Sequence, residues 1–154
     1  MHPKKFALVM GIVLFAVGVL ALFPGLYSVP VEGLPVLDVE TSYGLFVGYV
    51  AMNIINKIAL IGFGIGGIWA ATRPTTSLPA SINYSRLLFV SMGALAILGL
   101  IPATQSLFGY MPLWGHNVWI YAAASILGAY FGFALSSKVP KQPDLPKRTP
   151  IHGT

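Results

Sequence analysis

The residues able to do chemistry in this chain are few, and they gather at one level. The stretch "NIINK" sets Asn53, Asn56 and Lys57 at the front of a long apolar run, and His116, Asn117 and Tyr121 stand at the front of another. Amides and an ammonium group in that position could hold an anion, a polar solute or a lipid headgroup, because an ionisable residue inside a span marks a site or a partner. They make no catalytic set. His2 and His152 lie in the tails and His116 stands alone, so no histidine pair clamps a haem and no acidic ligand joins them within a span. Ser91 and Ser125 have no base beside them and are expected to bond helix carbonyls. The glycines of "GFGIGG" follow no strand, which argues against a phosphate loop. Without cysteine there are no thiolate nucleophiles, iron–sulfur clusters or thiolate zinc sites. The reading is non-enzymatic, with no metal site and no required cofactor.

Composition names the solvent these groups sit in. Of 154 residues, 56% are hydrophobic and 8% charged, with a mean hydropathy of +0.78, whereas soluble domains are about 25% charged. This is the profile of a membrane protein. Apolar runs near the roughly 20 residues needed to cross a bilayer predict an all-α bundle of four transmembrane helices over about 6–23, 52–71, 86–102 and 118–135. Residues 1–137 form that domain, and the basic, proline-rich segment 138–154 is an extended tail. The first run is too long for a signal h-region and "LALFPGLYS" lacks a small-residue cleavage site, so it reads as a first span.

Charge orients the bundle. Lys4, Lys5, Arg73, Arg86, Lys138, Lys141, Lys147 and Arg148 all fall on one side, while the opposite loops carry Glu32, Asp38 and Glu40 and no basic residue. The positive-inside rule then puts both termini in the cytoplasm, in a bacterial inner or intracytoplasmic membrane. The net charge of +5 is a rim facing anionic lipid and calls for no nucleic acid. Membrane lipids are the default partners.

The halves resemble each other. "GIVLFAVGVLALFPG" corresponds to "GALAILGLIPA", and "LFVGYVAMNIINK" corresponds loosely to "LFGYMPLWGHNVW", which predicts a parallel repeat of two spans each and places Asn56 near Asn117. Gly62 with Gly66, and Gly128 with Gly132, lie one turn apart and are read as helix-packing faces within the bundle. Trp114, Trp119, Tyr43, Tyr49, Tyr110 and Tyr121 collect near the outer ends of helices 2 and 4 as an aromatic belt. His116 is read as interfacial beside them. A bound lipid, quinone or pigment would use the same rings.

Lys57 is the one basic residue inside a span. Counting back from Ala71 puts it about 8 Å below the outer boundary at ~1.5 Å per residue, and side chains lean toward a helix's own N-terminus. Its ammonium therefore either snorkels outward, meeting Asn53 first, or pairs with a loop carboxylate, an anionic lipid or an acid of another subunit. "SYGLFVGYV" ahead of it is expected at the interface, or as part of a strongly tilted helix.

From about Ser42 to Leu135, the elements "GLFVGYVAMNIIN" and "LFGYMPLWGHNVW" leading into "IYAAASILGAYFGF" resemble a bacterial family of small four-helix membrane proteins, domain of unknown function 4383. The family pattern opens helix 2 with Asn-x-x-His-Asn-x-x-His and follows Asn-x-Trp at helix 4 with a histidine. Asn53, Asn117 and Trp119 match. Asn56, Lys57 and Leu60 stand where His, Asn and His would be, and Tyr121 replaces the last histidine, so no metal or haem role carries over. The resemblance implies a fold and no activity. The functional expectation is an accessory or scaffolding subunit of a larger membrane protein complex, contacting partner or lipid through Lys57, Asn53, Asn56, Asn117 and Tyr121. A small transporter or channel with an outward vestibule around Lys57 is the alternative.

Overall fold

The computed structural model describes residues 2–28 and 34–138. Its four long helices are apolar and long enough to cross a membrane: α1 (Pro3–Leu20), α2 (Ile54–Thr72), α3 (Ser77–Leu100) and α4 (His116–Ala129), the last continued by a π-helical turn over Tyr130–Ala134. Helices meet the demand of lipid that each backbone N–H and C=O be paired within its own segment. Local chemistry sets their ends. Pro3 opens α1, where its missing N–H costs nothing. Pro24 stops any continuation and starts a 3₁₀ turn. Gly115, at φ +66°, supplies the left-handed entry to α4.

α3 begins nine residues before the expected 86, so most of the segment left between the second and third expected spans, 72–85, is helix. Polarity alone does not break a helix. Ser81 and Ser85 are buried, the Ser85 hydroxyl bonding the Ser81 carbonyl at 2.8 Å, while Asn83 and Arg86 sit exposed. The tail expected over 138–154 lies, past Lys138, outside the described residues, as does Glu32.

The bundle is also not purely α-helical. Residues expected at the interface form a small antiparallel sheet of β1 (Tyr27–Ser28), β2 (Gly44–Phe46) and β3 (Val50–Met52), in the order β1-β2-β3. Tyr27 pairs with Phe46 and Leu45 with Ala51. Val47 (φ 52°) and Gly48 (φ 79°) make the tight turn between β2 and β3, closed by Tyr49 N–H donating to Phe46 O at 3.1 Å; positive φ at both central residues is the turn that matches strand twist. α2 thus has no long N-terminal extension to tilt.

α1 packs chiefly on α2, and α3 on α4, with α3 joining the two pairs and α4 standing off α1 and α2. One core cluster gathers Phe6, Leu88, Met92, Leu113, Tyr121 and Phe131; a smaller one gathers Ala7, Ala70, Ala71 and Tyr84. Glycines let the pairs close. A Cβ on Gly64 would meet Phe15 backbone N at 2.5 Å, and one on Gly67 would meet Ala7 O and Gly11 Cα at 2.8 Å. The expected pair Gly62 and Gly66 is displaced from this role: Gly62 faces open space and Gly66 has only Tyr84 at 3.9 Å, since the α1-facing stripe of α2 runs through 64 and 67. On α4, a Cβ on Gly128 would meet Ser85 O at 2.7 Å, and one on Gly132 the Arg86 stem at 2.9 Å.

Candidate functional site

The polar side chains singled out by type converge at the non-helical cap formed by the sheet, residues 34–43 and residues 101–115. Asn53 is the N-cap of α2. Its Oδ1 accepts from the backbone N–H of Ile55 (3.1 Å) and Asn56 (3.3 Å), and Asn56 Oδ1 accepts from Asn53 N–H at 3.1 Å, a reciprocal capping box built from two amides. Asn53 Nδ2 donates outward to Val39 O at 2.9 Å and Tyr110 O at 2.7 Å. One fully buried side chain thereby ties the helix start to both outer loops.

Lys57 sits one turn on, 1% exposed. Its Nζ donates to Ser42 O at 2.9 Å and Ser42 Oγ at 2.6 Å, and lies 4.2 Å from the centroid of the Tyr27 ring. The stem leans toward the N-terminal end of α2, as helix geometry requires, yet the ammonium meets Ser42 and Tyr27 first, where Asn53 was expected. The Asn53 acceptor, Oδ1, is already taken by the backbone N–H groups of Ile55 and Asn56. Because the positive end of the α2 dipole opposes a cation there, two oxygen acceptors and an aromatic face are what hold the charge in place.

Asn117 and Tyr121 stand one turn apart on α4. Asn117 Nδ2 donates to Ala51 O at 2.7 Å and Pro112 O at 2.9 Å, which fixes the amide orientation and leaves Oδ1 buried with no partner among the described residues. Tyr121 Oη accepts from Asn56 Nδ2 at 3.0 Å. Asn56 and Asn117 are therefore linked through Tyr121 and the hairpin, without bonding each other. Nearby, Tyr43 Oη donates to Pro35 O at 3.2 Å, and burial, with the charge of Glu40 adding to it, raises its phenol pKa. His116 is exposed and meets the Tyr49 ring edge-on at 6.0 Å; Trp119 is exposed and Trp114 half-buried. Among the described residues no cluster of His, Asp and Glu could hold a metal ion.

The partners of these side chains are mostly backbone carbonyls and one serine, none of which has a signature of residue type. The capping box is the exception: Asn53 and Asn56 at N-cap and N3 repeat the spacing by which such boxes are recognised. Two apolar recesses flank the cap's underside. One, of about 450 Å³, lies between α1, α2, the hairpin and α4, with Asn56, Asn117 and Tyr121 in its wall; the other, of about 600 Å³, runs between α3 and α4. The family model described as "Domain of unknown function (DUF4383)" matches residues 4–134. Among curated proteins and solved structures, none matches the chain.

Proposed function

The chain belongs to the DUF4383 family, and from that premise we propose that it is a non-enzymatic integral membrane protein serving as an accessory or scaffolding subunit packed against a larger membrane complex. The observation that carries this reading is the α3–α4 groove. Its floor is made of small residues, Gly93, Ala94, Ala96 and Ala122, and its rim of Ile97 and Trp119. In lipid, helices associate where small residues let another backbone approach. The Ser125 hydroxyl within the groove is already bonded to Phe89 O at 2.9 Å, so an apolar helix can lie there without stranding it.

The polar cap supports the same reading over a transporter. A vestibule would need Lys57, Asn53, Asn56 and Asn117 facing water, and their bonds to Ser42, Val39, Tyr110, Tyr121, Ala51 and Pro112 occupy them instead. The one-sided distribution of Lys and Arg supports cytoplasmic termini in a bacterial inner or intracytoplasmic membrane. A parallel repeat is supported by Gly11 crossing α2 at Gly64 while Gly93 crosses α4 at Ser125.

The test is native mass spectrometry after mild detergent extraction, comparing the natural chain with Ala94→Trp, which fills the groove from an exposed position. A stoichiometric larger partner on the natural chain, lost from the variant at unchanged melting temperature, is expected. Recovery of the chain alone, with solute flux when reconstituted in liposomes, would establish the transporter in its place.

A further inference from the structure

At the end of the bundle away from the cap, one exposed cation is held in place with most of its donors unspent. Arg86, on α3, donates through Nε to the Gly132 carbonyl at 2.9 Å, and its guanidinium carbon lies 5.1 Å from the centroid of the Phe133 ring. Both partners belong to the π-helical turn of α4, where Leu135 N–H reaches back to Tyr130 O at 2.9 Å. Glycine at 132 admits the arginine: a Cβ there would meet Arg86 Cγ at 2.9 Å and Arg86 N at 3.1 Å. Tied at Nε and laid on an aromatic face, the guanidinium is oriented, yet among the described residues the N–H groups of Nη1 and Nη2 donate to nothing. Asn83, one turn back on the same face of α3, is exposed like Arg86, and its amide N–H groups also have no acceptor among the described residues.

Depth decides what those donors meet. Arg86 stands about 21 Å from Leu100 along α3 at ~1.5 Å per residue, so with Leu100 at one boundary of about 30 Å of hydrocarbon it lies roughly 9 Å inside the other. Its stem leans toward the start of α3 and hence toward that nearer boundary. The stacked rings of Phe6 and Phe131, 4.3 Å apart, bring the start of α1 beside the same π-turn, with Lys4 and Lys5 exposed on it. The carboxylates of the described residues, Asp38 and Glu40, belong to the cap at the opposite end.

We infer that Arg86 and Asn83 bind the phosphate of an anionic phospholipid in the leaflet at this end, the Nη fork taking two phosphate oxygens and the Asn83 amide a third. Every free group at this position is a donor, and a phosphodiester supplies only acceptors. A choline or ethanolamine headgroup would bring a second cation beside Arg86, Lys4 and Lys5, with no carboxylate among the described residues to receive it, whereas a glycerol headgroup brings none. A lipid phosphate already lies at the boundary toward which the stem points. The site stands whether or not a partner helix fills the α3–α4 groove, which begins one turn further along at Phe89 and Val90.

The experiment is native mass spectrometry of the full chain in mild detergent with equimolar dioleoyl phosphatidylglycerol and dioleoyl phosphatidylcholine. The natural chain is expected to retain one phosphatidylglycerol about tenfold more strongly than phosphatidylcholine, the worth of one charge-assisted hydrogen bond. Arg86→Gln should abolish that preference and Asn83→Ala should lower it several-fold. Lys5→Gln, which removes the same unit of charge from an exposed position, should leave it within about twofold. Equal retention of the two lipids by the natural chain overturns the inference, whatever the variants do. A preference unchanged in Asn83→Ala overturns the two-residue site even where Arg86→Gln fails to fold. A loss in Lys5→Gln equal to that in Arg86→Gln marks a diffuse basic rim, and release of the lipid by millimolar inorganic phosphate assigns the fork to a soluble anion; either result overturns the lipid site.

Discussion

Replacing Asn53 with alanine tests the central structural claim, that one side chain ties α2 to the outer loops. Three losses follow from its geometry. The N-cap is worth about 1 kcal/mol. The carbonyls of Val39 and Tyr110 lose a donor at 2.9 and 2.7 Å, at about 1–2 kcal/mol each when the site stays dry. The expected cost is about 3–5 kcal/mol, a large share of the ~5–15 kcal/mol that holds a typical fold. Asn53→Ser separates the terms, because a serine hydroxyl restores the cap without reaching the loops, and should recover only about 1 kcal/mol. Reversible unfolding in mixed micelles, followed by tryptophan fluorescence, gives both numbers. A cost for Asn53→Ala no larger than an exposed cap, about 1 kcal/mol, with serine equal to asparagine, would refute the tie.

Lys57→Met keeps the stem and removes the charge, so global stability should stay within about 1 kcal/mol, as when buried ions give way to apolar isosteres; hydrogen exchange over residues 42–46 should rise about tenfold as Ser42 loses its clamp. No change in exchange there would show that Lys57 does not hold the cap. Val47→Asn should stabilise the chain by about 1 kcal/mol, because a β-branched residue at φ 52° pays a steric cost that asparagine largely avoids, and a lowered melting temperature would contradict the turn. Gly64→Ala, against Phe15 backbone, should destabilise markedly, whereas Gly62→Ala, facing open space, should be neutral or gain up to about 1 kcal/mol from helix propensity. Equal effects in the two variants would place the α1–α2 contact elsewhere.

The glycines show how far pattern reading reaches. Gly62 and Gly66 satisfy the same one-turn spacing as any packing pair, yet α1 lies against Gly64 and Gly67; in a run this rich in glycine, spacing alone does not say which stripe meets a neighbour. The hairpin was hidden for a related reason. "SYGLFVGYV" is as apolar as the helix behind it, and it becomes strand only because β1, from a segment far back in the chain, pairs along it. The early start of α3 escaped a hydropathy reading because a polar side chain can be buried within a helix, as Ser85 is, its hydroxyl bonding the Ser81 carbonyl one turn back.

What the amino-acid order determined unaided is the class of the protein: four apolar helices, a non-soluble composition and a one-sided belt of charge. The bilayer's demand for internally paired backbone acts on each segment separately, so local composition suffices to meet it. Where the polar side chains end was decided only by the tertiary structure. Asn53, Lys57, Asn56 and Asn117 bond to groups 14 to 66 residues distant, mostly backbone carbonyls that every residue type carries, and no local pattern specifies which carbonyl will arrive.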